Sequence, residues 1–207
     1  LHEVAVAVMN KVRLQRGEGF SLTQNVKAKV TCVAPAFTQY LYMSGDANGW
    51  SFSNPLYSPD ADGKYTGFMY LNQNGFKFAT QQDWNGTDYG EGLVEKGGNI
   101  VMTEPEGFYK VDVDLTSQAL TYTAINRVGV IGSATAGGWD SDQAMTYNAT
   151  DKCWEIKGIT LTEGEIKFRA NEAWDLDWGG SLADITLKGG NIKVAAGKYN
   201  IKLYLLC

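Results

Sequence analysis

The sequence predicts an all-β protein, a sandwich rather than a barrel. Three observations carry that expectation. The 207 residues include 6 Trp, 11 Tyr, 8 Phe and 24 Gly but only 4 Pro, a composition that favours strands and turns. Helical periodicity is scarce, whereas short alternating runs recur. Most of those runs have Gly, Asn or Asp at or near an end, the residues of tight turns.

Taken in order, the runs are "NVKAKVTCV", "GKYTGFMYL", "GFYKVDVDL", "ALTYTAI", "CWEIKGITL", "GEIKFRA" and "KYNIKLYLL". Near the N-terminus "HEVAVAVMNKV" fits a helix or a strand equally well. The runs after residue 36 fall into two copies of one unit. "KGGNI" occurs at 96–100 and again at 188–192, an offset of 92 residues. Trp50 and Trp139 stand 89 apart, each after a Gly. "FKFA" at 76–79 matches "IKFR" at 166–169, and Trp84 matches Trp174, both at an offset of 90. Tyr89-Gly90 matches Trp178-Gly179, 89 apart. Loop insertions of a few residues account for the drift. The expected organisation is a first sandwich over 37–125 and a second over 126–207. The join "AIN" is too short for a flexible tether, so the copies should meet at a fixed angle. Residues 1–36 match neither copy and are too few to bury a core of their own. They read as the end of a preceding domain or as a simple extension.

Composition removes several classes of function. A net charge of −5 argues against a nucleic-acid surface. With His2 as the single histidine, a Ser-His-Asp or Cys-His catalytic set is not expected. Cys32, Cys153 and Cys207 are too scattered for a zinc site, and an odd count argues against a disulfide framework. No metal or cofactor is expected. No apolar run reaches membrane-span length, and no signal peptide opens the chain. If the protein is exported, this is a mature or trimmed chain. "DADG" at 60–63 reads as a turn rather than a calcium loop. Asp140, Asp142, Asp175 and Asp177 all lie in turn-rich segments without an evident cleft, which disfavours a glycosidase pair.

The stretch "EIKFRANEAWDLDWGG", 165–180, concentrates what remains. Alternation sends Ile166 and Phe168 inward and Lys167 and Arg169 to the opposite face. In the first copy Phe76 and Phe78 point in, and Lys77 and Ala79 point out. Trp84 and Trp174 each follow the outward lysine by seven residues, among turn-forming polar residues. Trp50 and Trp139 sit at or just after turns. Such loop tryptophans could close over a core. Paired with an outward cation in each copy, they fit a sugar platform better. A pyranose presents its C–H face to an aromatic plane, and its hydroxyls need fixed donors and acceptors. Two angled aromatics and a cation suit a curved chain of glucose units.

These features resemble a known family. "GDANGW" or "GSATAGGW" is followed by the outward-lysine strand, then by Trp with "YG" or "WG". This order, in tandem, resembles the SusE/SusF-type surface glycan-binding lipoproteins of Bacteroidetes. It is also distantly similar to starch- and glycogen-binding modules. The resemblance covers about residues 38–207 and implies immunoglobulin-like sandwiches, with 1–36 as the end of an N-terminal immunoglobulin-like domain. It implies a non-catalytic protein that holds polysaccharide, α-glucan above all, on the outer face of the outer membrane. A SusC/SusD-like importer would be its partner, and a lipid anchor outside this chain its only membrane attachment. The first site would be Trp50, Lys77 and Trp84, with Tyr89 beside them. The second would be Trp139, Lys167, Arg169 and Trp174, with Trp178. Arg169 and Trp178, facing Ala79 and Tyr89 in the first copy, would make the second site the stronger. Two other readings stay open at this point: the binding appendage of a secreted polysaccharide-degrading enzyme, and a sandwich that contacts protein.

Overall fold

A computed structural model describes residues 36–206, which belong to one compact unit. The segment read as the end of a preceding domain lies outside the described residues except for Ala36, as do His2, Cys32 and Cys207. Among the described residues the only helical segments are two 3-10 turns, Asp46–Asn48 and Glu91–Leu93. The architecture is all-β and sandwich-like, as the sequence predicts.

The first repeat supplies β1 (Tyr40–Gly45), β2 (Asn54–Tyr57), β3 (Lys64–Leu71), β4 (Phe76–Ala79), β5 (Asp88–Tyr89), β6 (Gly107–Asp114) and β7 (Ala119–Ala124). They form one antiparallel sheet in the order β5-β4-β1-β2-β3-β6-β7. β2 pairs with both β1 and β3, so the sheet folds over there and its two halves face each other. Leu41, Met43, Phe76 and Phe78 come from one half, and Met69, Leu71, Val111 and Val113 from the other. All are buried, as period-2 alternation requires of a strand with one apolar face.

The second repeat supplies β8 (Val128–Ile131), β9 (Gln143–Ala144), β10 (Thr146–Asn148), β11 (Cys153–Leu161), β12 (Gly164–Ala170), β13 (Asp177–Ser181), β14 (Asp184–Leu187), β15 (Ile192–Val194) and β16 (Gly197–Leu203). Here two sheets, β14-β13-β12-β8-β9 and β10-β11-β16, replace the single folded one. The passage that β2 makes in one strand is split into β9 and β10, with buried Met145 between them. Corresponding pairings recur: Phe78 faces Tyr89 across β4–β5, and Phe168 faces Trp178 across β12–β13.

The join is taut. Ile125 is buried, and its N–H donates to the Phe108 carbonyl at 2.8 Å. Phe68 and Phe108 of the first repeat enter the core of the second, edge-on to Trp178 and Trp154 at 5.5 and 5.6 Å. The Phe68 N–H donates to the Leu206 carbonyl at 2.8 Å. The repeats thus share a core.

The repeated "KGG" has a backbone cause. Lys96 and Lys188 take positive φ of 55° and 60°, and their N–H groups donate to Asp88 and Asp177 at 2.9 and 2.8 Å. The following glycines press on β5 and β13. A Cβ on Gly90 would lie 2.1 Å from the Gly98 carbonyl oxygen, and one on Gly179 would lie 2.1 Å from that of Gly190. Gly179→Ala is therefore expected to cost about 1–3 kcal/mol, seen as a lower urea midpoint at unchanged slope. Gly190→Ala, whose Cβ would meet nothing within 4 Å, should cost far less. Equal losses at the two positions would refute the close-contact account.

Candidate carbohydrate-binding site

All four loop tryptophans stand exposed: Trp50 at 40%, Trp84 at 46%, Trp139 at 37% and Trp174 at 45%. In the second repeat two of them meet. The rings of Trp139 and Trp174 lie 6.2 Å apart at an interplanar angle of 41°, which makes an open aromatic corner. In the first repeat Trp84 instead meets Phe52, edge-on at 4.8 Å. Phe52 is a residue that sequence reasoning passed over. Its signal was its place two residues after Trp50 in "GWSF". Trp50 itself sits at φ 59°, a left-handed conformation that costs a non-glycine residue about 1–2 kcal/mol.

The cations correct the sequence expectation. Lys77, Lys167 and Arg169 do leave the core face, but their side chains are only 16%, 13% and 8% exposed. Alternation fixes which face a side chain leaves from, and not what later covers that face. Here the loops return over it and bring carboxylates down. Lys77 pairs with Asp88, and Lys167 pairs with Asp177 in the corresponding place. Lys188 also reaches Asp177, at 2.7 Å, and donates to the Trp174 carbonyl. Arg169 donates to Asp142 at 2.8 Å, and Arg127 reaches the other oxygen of that carboxylate at 2.5 Å. Ala79, expected to point outward, is likewise covered.

Trp178 is a second correction. It is 3% exposed, inside the shared core against Phe68, and offers no face to a ligand. Its pairing with inward Phe168 puts it on the core side of the sheet. Tyr89, paired with inward Phe78, is half-buried against the first core, and burial pushes its phenol up. The stated grounds for a stronger second site, a free Arg169 and a stacking Trp178, therefore fall away. What distinguishes the second repeat is the support of its corner. The Arg169 guanidinium carbon lies 5.1 Å from the centre of the Trp174 ring, a cation–π contact made from beneath. Asn171 clamps the base of the same loop. Its side chain accepts from the Asn126 N–H at 2.9 Å and donates to the Ala124 carbonyl at 2.8 Å. Arg169 and Asn171 are positioning residues.

Residues 40–123 match the family model of SusF/SusE starch specific CBMs. Over its first repeat the chain is similar to that family. No curated protein matches the chain.

The electrostatics make a stability prediction. Burial alone would push the Asp142 carboxyl up, but hydrogen bonds from Arg169 and Arg127 outweigh it and hold it below the ordinary carboxylate range. Asp177 is held down against burial in the same way by Lys167 and Lys188. Groups with depressed folded pKa values stabilise the fold above their unfolded values and lose that contribution as pH falls through the folded ones. Asp142→Asn, which leaves buried Arg169 without its charge partner, should cost about 3–5 kcal/mol at neutral pH. The gap from the parent chain should close as pH falls through the lowered folded pKa of Asp142. Urea midpoints measured from neutral to acid pH test this, and a gap independent of pH would refute it.

Proposed function

We propose that the chain is a non-catalytic starch-binding protein that captures α-glucan at the outer-membrane surface, beside a SusC/SusD-like importer. The observation that carries this is the Trp139–Trp174 corner, exposed on both rings and held rigid from below by Arg169. The family match on the sister repeat supports starch as the glycan. In this reading Trp50, Trp84 and Phe52 make the first platform, and Trp139 and Trp174 the second. Lys77, Lys167 and Arg169 act chiefly by fixing the loops. Asp142 and Asp177, the best-placed buried carboxylates, are each held ionised between two cations, a poor state for a general acid.

Calorimetry on the intact chain tests the platforms. Trp174→Ala should weaken a short α-glucan oligosaccharide at the second repeat at least tenfold, about 1.4 kcal/mol. Trp84→Ala should do the same at the first repeat. A soluble polymer should bind the parent chain more tightly than it binds either variant by a larger factor than a short ligand does, because one chain engages both repeats. Because the repeats share a core, these single-site variants are the proper comparison rather than an isolated repeat. Unchanged binding in both variants, or sustained release of reducing ends from starch, would overturn the proposal.

A further inference from the structure

The first repeat carries an aromatic surface that the second does not copy. Cross-strand partners share a face, so the register Tyr40–Tyr57, Tyr57–Thr66, Thr66–Asp112 and Asp112–Thr121 draws one row across β1, β2, β3, β6 and β7. On β1 this is the face of Lys77, since Ser44 pairs with Lys77 and Tyr42 with Ala79, and beyond the fold at β2 the row continues on the outer face of the other half. At one end the row is aromatic. The Tyr40 ring lies 5.0 Å from Tyr57 and 6.2 Å from Tyr42, at interplanar angles of 38° and 21°. Tyr40 is 40% exposed. The row then runs along a groove of about 660 Å³ lined by Tyr57, Thr66, Lys110, Asp112 and Thr121, with Leu187 of the second repeat among its walls. That volume is in the range of small-ligand sites.

The second repeat treats the same place differently. Arg127 and Gly129 stand where the first repeat has Tyr40 and Tyr42, and Arg169 stands for Ala79. Asp142 lies over Gly129, where a Cβ would come within 2.5 Å of its carboxyl carbon. An ionic cluster closes the face there, and rings leave it open in the first repeat.

We propose that the Tyr40–Tyr57 row and its groove are a second glycan subsite of the first repeat, separate from the Trp84–Phe52 platform. The occupant is an uncharged oligosaccharide, laid with sugar faces on the tyrosines and hydroxyls on the polar end of the row. The charge pattern selects that class. Lys110 and Asp112 pair with each other, Thr66 donates to Asp112 at 2.6 Å, and Lys64 stands opposite Asp114 across β3–β6, so the lining carries no net charge, and its surface is mostly apolar with a few polar groups. Two lysines and two aspartates line the groove, so an anionic polymer gains no net attraction from it. The proposal rests on the glycan-binding reading above and extends it to a longer ligand.

The test uses the intact chain grown with fluorotyrosine, with the Tyr40 and Tyr57 signals assigned through Tyr40→Phe and Tyr57→Phe. On titration with a long soluble α-glucan both fluorine resonances should move. They should still move in the Trp84→Ala, Trp174→Ala double variant. By calorimetry Tyr40→Ala should weaken the long glucan about fivefold and the short one hardly at all. Tyr40→Phe should keep parent affinity, because the ring and not the hydroxyl makes the contact. Polymer binding that leaves both resonances still overturns the row but spares the tryptophan platforms. Equal weakening of short and long ligands also overturns it as a separate subsite. No binding of glucan by the parent chain overturns both readings.

Discussion

Asp177 holds Lys167 and Lys188 at once, and through Lys188 it reaches the backbone of Trp174. Much of the second repeat's loop face is fixed by that one buried carboxylate. It joins β12 to β13, ties the "KGG" turn to both, and anchors the loop that raises a tryptophan into solvent. A buried ion pair is a weak source of net stability, since desolvation cancels most of its attraction. Its value here is geometric. Replacing Asp177 would leave buried Lys167 unpaired, so the loops have few other ways to close. The first repeat keeps the same device in simpler form: the Asp88 carboxylate pairs with Lys77, and the Asp88 backbone carbonyl accepts from the Lys96 N–H.

On that common frame the two repeats diverge one layer further out. The second places Arg169 and Asp142 under its tryptophan corner, and the first places small, buried Ala79 beside tyrosines. One substitution propagates. A long guanidinium at 169 needs a carboxylate, and the carboxylate needs the space that a glycine at 129 leaves. Without the arginine, that space takes Tyr42 instead. The repeats therefore share a core and a loop anchor while offering different surfaces.

Much of this was legible in the sequence, and the reasons for the rest are physical. Alternation and turn residues predict strands, and the repeated spacings predict two copies. Polar surroundings predict that Trp50, Trp84, Trp139 and Trp174 stand exposed, as they do. The covering of Lys77, Lys167 and Arg169 was not legible, because alternation says nothing of where a loop returns. Yet Asp88 and Asp177, each just before the repeated aromatic, could have been found from the repeat itself. Trp178 was misplaced by analogy with its exposed neighbours, although its strand partner Phe168 points inward. "KGGNI" marked the repeat, and its first glycine has a packing cause in the second copy: a Cβ on Gly189 would lie 2.5 Å from the Gly179 backbone.

Rigidity links the fold to the proposed activity. A shallow platform gains little from each sugar, so ordering of the protein on binding would consume much of that gain. The Trp139–Trp174 corner avoids the cost by being ordered beforehand. Arg169 backs one ring, Lys188 fixes its carbonyl, and Asn171 ties its loop to the join. Because Asn171 reaches Ala124 and Asn126, the second platform is also referenced to the first repeat. The shared core of Phe68, Phe108, Trp154 and Trp178 holds that reference steady. Two weak sites whose spacing does not wander present a fixed target to a polymer that spans them. In the proposed function, and where both platforms face one polymer, the second contact would lose little further freedom and avidity would not need any one strong contact.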